Sequence, residues 1–268
     1  MLSTRELRRS ARKKPKIIGI WRWLKFVLLA VFAGALIFSG IQIGSYIAEN
    51  DADMRSLNNT RQVYAQALQG LPEKPDDTSE GAAAPQDGAG ADAFAALTRL
   101  NADAAGWLTI PGTGIDHPVV QCEDNDYYLN HSFEGKRSAH GCVFMDYRST
   151  ADSRHIVIYG HHMKDGSMFG GLPQYELESY CAAHPTVTLN LWGSLSQWQV
   201  FSVHTTDDSL LPVAFADDSV FGEFAEGLKG LSLYDTGVDV TPKDTVLTLS
   251  TCDGSSRERF VVHAKKIE

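Results

Sequence analysis

The chain has 268 residues, enough for one or two domains, and its 43% hydrophobic content is that of an ordinary globular protein. Its net charge of -9 hides an asymmetry: residues 1–25 carry nine basic side chains against one acid, Glu6, and everything after them is strongly acidic. A basic tail on an acidic body leaves no basic face on the folded part, which speaks against nucleic acid as a partner.

Read in chain order, the basic tail (1–25) abuts residues 26–48, which contain no charged side chain. At about 1.5 Å per helical residue this run can cross a bilayer core of about 30 Å. The basic flank predicts a cytoplasmic N-terminus, with the rest of the chain outside. A cleaved signal peptide is the alternative, but the run exceeds the usual apolar region of about 7–15 residues and no clear Ala-x-Ala site follows. Residues 49–90 read as a stalk and then a linker, because 71–90 are rich in Pro, Gly, Ala and Asp and cannot bury a core.

Helical spacing resumes at 91–100, where Phe94, Leu97 and Leu100 fall on one face. Eight strands follow, over 107–110, 117–121, 142–145, 155–159, 186–191, 197–204, 245–250 and 259–265, with Pro-Gly and Asp-Gly turn signals among them. Many short strands at such spacing predict a closed or nearly closed β-barrel. An insertion between the sixth and seventh strands, 205–243, holds a helix over 219–231. Val220, Phe224, Leu228 and Leu231 lie at helical spacing there, after Asp217 and Asp218 as caps.

The chemistry concentrates at the C-terminus. A β-branched run, Thr248-Leu249-Ser250-Thr251, delivers Cys252 to a turn at Asp253-Gly254, and the last strand opens with Arg259. Antiparallel pairing of these two strands puts a thiol and a guanidinium at one end of a sheet, where positive charge favours the thiolate. A histidine completes the set at the end of the apolar run Ile156-Val157-Ile158-Tyr159, as His161 after Gly160, with His162 beside it. The other three cysteines, Cys122, Cys142 and Cys181, leave a disulfide open in a translocated domain. No Cys-x-x-Cys or His-x-x-x-His spacing accompanies these residues, so no metal or cofactor is expected.

Thr-Leu-Ser-Thr-Cys followed by an Arg that opens a Phe-Val-Val strand resembles the sortase signature. Tyr-Gly-His-His-Met at 159–163 is similar to the segment carrying the sortase histidine. Gly106-Trp107-Leu108-Thr109-Ile110-Pro111 and Asp124-Asn125-Asp126-Tyr127-Tyr128-Leu129-Asn130 extend the resemblance over 101–268, closest to class B sortases. It implies a sortase-like β-barrel (91–268) with a helical insertion that distinguishes class B. It further implies a membrane-anchored cysteine transpeptidase with Cys252 as nucleophile, His161 as general acid and base, and Arg259 stabilising the oxyanion. Arg257 is the competitor for Arg259. Ser250, where class B sortases have a serine, and Asn130, as an orienter of the histidine, are supporting candidates.

The partners implied are the C-terminal sorting peptide of secreted surface proteins and an acceptor amine, from peptidoglycan precursor or from a pilin. A cysteine hydrolase would share the first half-reaction. The order of His before Cys, 91 residues apart, is not papain-like, and no Gln-Ala-Cys-x-Gly is present. A membrane-tethered binding module without activity is the non-enzymatic alternative.

Overall fold

The computed structural model describes residues 17–70, 88–207, 211–252 and 258–267. The first sixteen residues of the basic tail, the Pro/Gly/Ala-rich segment at 71–87, the Asp253-Gly254 turn and Arg257 lie outside the described residues. The chain divides into two compact units, Met1–Ala48 and Glu49–Glu268. Helix α1 (Ile17–Leu68) carries the uncharged segment, and among the described residues it is the one helix long and apolar enough to cross a membrane.

In the second unit, helix α2 (Ala89–Leu100) precedes strands β1 (Ala104–Thr109), β2 (Asp116–Val120), β3 (Val143–Met145) and β4 (His155–His161). Helix α3 (Glu178–Ala183), β5 (Thr186–Leu191), β6 (Ser194–Thr206), α4 (Asp218–Gly230), β7 (Val246–Cys252) and β8 (Arg259–Lys266) follow. The eight strands close a barrel, as the short-strand pattern predicts, in the order β1-β2-β3-β4-β7-β8-β6-β5. Six neighbouring pairs are antiparallel, while β2–β3 and β4–β7 are parallel. The second parallel pair is the consequential one. Strands running the same way end at the same rim, so β4 and β7 finish side by side, and antiparallel β8 starts there.

Alternation along the strands separates two cores. Ile156, Ile158, Leu247, Leu249 and Val262 fill the barrel with Leu108, Val187 and Leu189. On the outer surface Val157 and Tyr159 join Trp107, Phe144 and Leu97 of α2 in a second cluster. Residues 49–68 of α1 are more than a spacer. Leu57 belongs to the first cluster, and Tyr64 stacks on Trp107 with centroids 4.4 Å apart and planes 8° from parallel. Arg61 pairs with the Asp116 carboxylate at 2.7 Å, and that carboxylate also accepts from Trp107 Nε1 at 2.7 Å. Burial of scattered apolar residues in a polar stretch is what the sequence pattern did not convey.

Both amphipathic helices bury part of the stripe expected from their large residues, Leu97 in α2 and Leu228 with half-buried Phe224 in α4, but turn others toward solvent. In α2 the buried residues are Ala89, Gly90, Ala93, Ala96 and Leu97, while Leu100 is 46% exposed. In α4 they are Phe221, Gly222, Ala225 and Leu228, leaving Val220 at 45% and Leu231 at 61% exposure. Small residues let a helix backbone approach the sheet closely, and that gain in packing outweighs the burial of one more Leu or Val. Asp217 caps α4, its side chain accepting from the Val220 amide at 3.0 Å, as expected. Cys122, Cys142 and Cys181 are free thiols.

Candidate active site

The parallel register of β4 and β7 runs unbroken from His155↔Val246 to His161↔Cys252. Directly paired residues share a face of the sheet, so positions 161 and 252 lie side by side at the barrel rim. On the other flank β7 and β8 pair through Ser250↔Val261. Beyond it the Thr251 hydroxyl takes over from the ladder, accepting from the Phe260 amide at 3.0 Å and donating to the Phe260 carbonyl at 3.3 Å. Arg259 opens β8 at this same rim, paired with Thr206 of β6. His161 and Cys252 thus end β4 and β7 side by side, and Arg259 begins β8 at the same rim.

His161 is held from two sides. Its Nε2 lies 2.8 Å from the Leu129 carbonyl. A carbonyl can only accept, so Nε2 carries a proton and donates it to this bond. From below, Gly160 lies against Phe169: a Cβ at 160 would come within 2.8 Å of that fully buried ring. The amides of Met163 and Phe169 both donate to the His161 carbonyl, at 3.1 and 3.0 Å, and fix the turn after it. His162 is exposed and only bridges to Met168.

The Leu129 carbonyl is itself fixed by its turn. Asp124 Oδ1 accepts from the amides of Asp126 and Tyr127, each at 2.8 Å, and starts the short 3-10 turn Tyr127–Leu129. Gly141, at φ 60, lies so close to the Tyr128 and Leu129 carbonyls that a Cβ there would meet them at 2.5 and 2.8 Å. Asn130 is the side chain expected from sequence to orient the histidine. The structure gives the contact to the backbone of the residue before it, and Asn130 caps the turn, its amide donating to Tyr127 O. A backbone acceptor leaves no mark in residue identity, so only the Asp124–Asn130 segment as a whole signalled it.

Ser250 lies two residues before Cys252 on the same face, between Tyr159 of β4 and Val261 of β8. It is buried, and its hydroxyl has no partner among the described residues. Tyr159 donates to Asp146 Oδ2 at 3.1 Å, within a network the sequence reading missed. Burial opposes the charge on Asp146, but Arg148, donating to both of its oxygens at 2.8 Å, more than offsets this and lowers its pKa. Burial pushes the Cys142 thiol up to about 12, and it also raises Cys181 and Cys122. These three therefore stay protonated and unreactive at neutral pH. Among the described residues no group of three or more His, Cys, Asp or Glu side chains could hold a metal ion.

The geometry has counterparts in known proteins. Residues 108–267 match the family model of the sortase domain. Sortase B of Listeria monocytogenes is 34% identical over 247 residues, covering 90% of this chain and 95% of that protein. The crystal structure of sortase B from Bacillus anthracis in complex with AAEK1 superposes with a TM-score of 0.70 at 31% identity, covering 83% of this chain and 99% of the other. A Staphylococcus aureus sortase B–substrate complex superposes with a TM-score of 0.72 at 29% identity, covering 82% and 99%.

Proposed function

Because this chain belongs to the sortase family, whose class B members are cysteine transpeptidases, we propose that it joins sorting peptides to an amine through Cys252, His161 and Arg259. The observation that supports these assignments is the strand register, which pairs Cys252 with His161, while Arg259 opens the adjoining strand at the same rim. The Cys252 thiolate attacks the scissile carbonyl carbon, and the Arg259 fork donates to the oxygen on which negative charge develops. The carbon–nitrogen bond then breaks, His161 gives its proton to the leaving amine, and a thioester remains. An incoming amine attacks the thioester carbonyl and passes its extra proton to His161. The thiolate leaves, and the enzyme returns to its starting state.

Ser250 is proposed as a supporting hydrogen-bond donor beneath the nucleophile, and Asn130 as a cap that holds the turn orienting His161. The sorting motif is proposed to be C-terminal in a surface protein, as the substrate of an enzyme held outside the membrane by residues 26–48. The acceptor is an amine of the cell wall or of a pilin. A domain of 91–268 carries the chemistry in this reading, with 1–25 in the cytoplasm and 49–90 leading to it.

Turnover of single variants tests the assignments. Cys252→Ala and His161→Ala are expected to abolish product, His162→Ala to keep most of it, and Arg259→Lys to lose at least tenfold because a point ammonium cannot reproduce the guanidinium fork (order of magnitude about 10²). Damage from His162→Ala or Arg257→Lys instead would reassign the imidazole or the cation.

A further inference from the structure

The proposed acid–base residue has a support that begins on α1. His140 is buried, 2% exposed, on the segment between the 3-10 turn and β3. Its Nε2 lies 3.3 Å from Asp165 Oδ2, and its Nδ1 lies 3.7 Å from Asp53 Oδ2, so the ring stands between two carboxylates. Asp53 belongs to α1. It accepts from the Ser138 hydroxyl at 2.5 Å, and that hydroxyl accepts from the His140 amide at 3.1 Å. Asp165 sits in the loop whose first hydrogen bond is Met163 N to His161 O, and it fastens that loop through the Ser167 amide and hydroxyl at 3.0 and 2.7 Å.

The residue after His140 completes the connection. Gly141 abuts the Tyr128 and Leu129 carbonyls, and Leu129 O is the acceptor for His161 Nε2. His140 therefore touches, or adjoins by one residue, both structures that fix the catalytic imidazole: the carbonyl on its Nε2 side and the loop leaving its backbone. Around the ring a small cavity beneath α1 is lined by Asp53, His117, Ser138, His140 and Cys142.

We infer that His140 is a positioning residue for His161, and that Asp53, on the α1 segment preceding the barrel, sets its place through Ser138 while Asp165 carries the effect to the catalytic loop. This rests on the reading of His161 as general acid and base. It makes residues 49–68 part of the catalytic apparatus: the anchoring helix contributes to turnover through a side chain more than a hundred residues from His161. An imidazole displaced by a fraction of an ångström still lets the peptide bind, but it delivers its proton less well, so the effect falls on kcat.

The test uses the full chain in detergent micelles, with a Leu-Pro-x-Thr-Gly or Asn-Pro-x-Thr-x peptide, whichever is turned over, and triglycine as amine. Asp53→Asn and Asp165→Asn are each expected to lower kcat by about tenfold with KM changed by less than about twofold. The double variant is expected to lose about the same tenfold, because both act through one ring. Ser138→Ala should reproduce the Asp53→Asn signature, which guards against a folding defect peculiar to Asp53. Arg55→Ala, on the exposed side of the same helix, should leave both constants unchanged. Unchanged kcat in Asp53→Asn and Ser138→Ala, or a roughly hundredfold multiplicative loss in the double variant, overturns the inference while His161→Ala stays inactive. Turnover surviving in His161→Ala would instead remove the reading beneath it, and that outcome is recognised from the one variant alone.

Discussion

Gly160 joins packing to chemistry at a single position. Its hydrogen is all that fits beneath the Phe169 ring, where a Cβ would approach to 2.8 Å. Phe169 is fully buried and cannot move aside cheaply. Gly160→Ala is therefore expected to cost about 1–3 kcal/mol of stability, as overpacking does. It should also lower turnover beyond what lost folded protein explains, since the strained residue immediately precedes His161. Urea unfolding midpoints measured beside kcat at a temperature where the variant is fully folded check both parts. The same residue explains the legibility of the Gly-His pair in sequence: the glycine is a steric requirement on one strand face and the histidine emerges on the other.

At the scale of elements, the insertion between β6 and β7 offers a sharp contrast. Phe221 is fully buried with Ala225, Leu228, Val238 and Val240, whereas Val220 beside it is 45% exposed. Phe221→Ala is expected to destabilise by about 3–5 kcal/mol and Val220→Ala by well under 1 kcal/mol, read from denaturant unfolding. A sequence reading alone ranks them the other way, because Val220, Phe224, Leu228 and Leu231 form a regular apolar stripe. Existence of the strands and closure of the barrel were legible from short apolar runs and turn residues, and so was the helix cap at Asp217, but the order of strands around the barrel was not. The short elements after β4, the 3-10 turn Leu172–Glu176 and α3, were not, since runs of five and six residues carry too little periodicity. Nor were contacts made by backbone groups, such as the Leu129 carbonyl on His161, or by α1 residues packed on a barrel distant in sequence.

Across the whole molecule, buried imidazoles couple stability to pH. His155 lies beneath Phe215 and Phe224, with Nε2 2.6 Å from Thr248 Oγ1, and Thr248 Oγ1 is 2.7 Å from His263 Nδ1. Burial lowers His155 to about 4, and burial, aided by the Arg61 charge, lowers His117 to about 4. Burial holds His263 well below its ordinary value, with His204 and His155 adding to the effect. The unfolded chain takes up these protons first, so it binds more protons than the folded state between about pH 6.5 and 4. Stability is thus complete above about 6.5 and falls as pH drops through that window, by up to about 1.4 kcal/mol per pH unit for each such histidine. Thermal unfolding midpoints from pH 7.5 to 4.5 should decline, and His155→Asn should flatten the slope; a midpoint that rises on acidification would contradict the assignment.

Transpeptidation requires that Cys252 form a thioester that an amine resolves. Its most direct test is intact mass of the soluble piece 49–268, which keeps Tyr64 on Trp107, incubated with Asn-Pro-x-Thr-x, Leu-Pro-x-Thr-Gly and Ser-Pro-x-Thr-Gly peptides with and without added amine. The expected result is an acyl adduct that maps to Cys252, is absent in Cys252→Ala, and is converted by the amine into a joined peptide. An adduct released only by water, or no adduct on folded protein whose Cys252 thiol is free, would contradict transpeptidation as its activity.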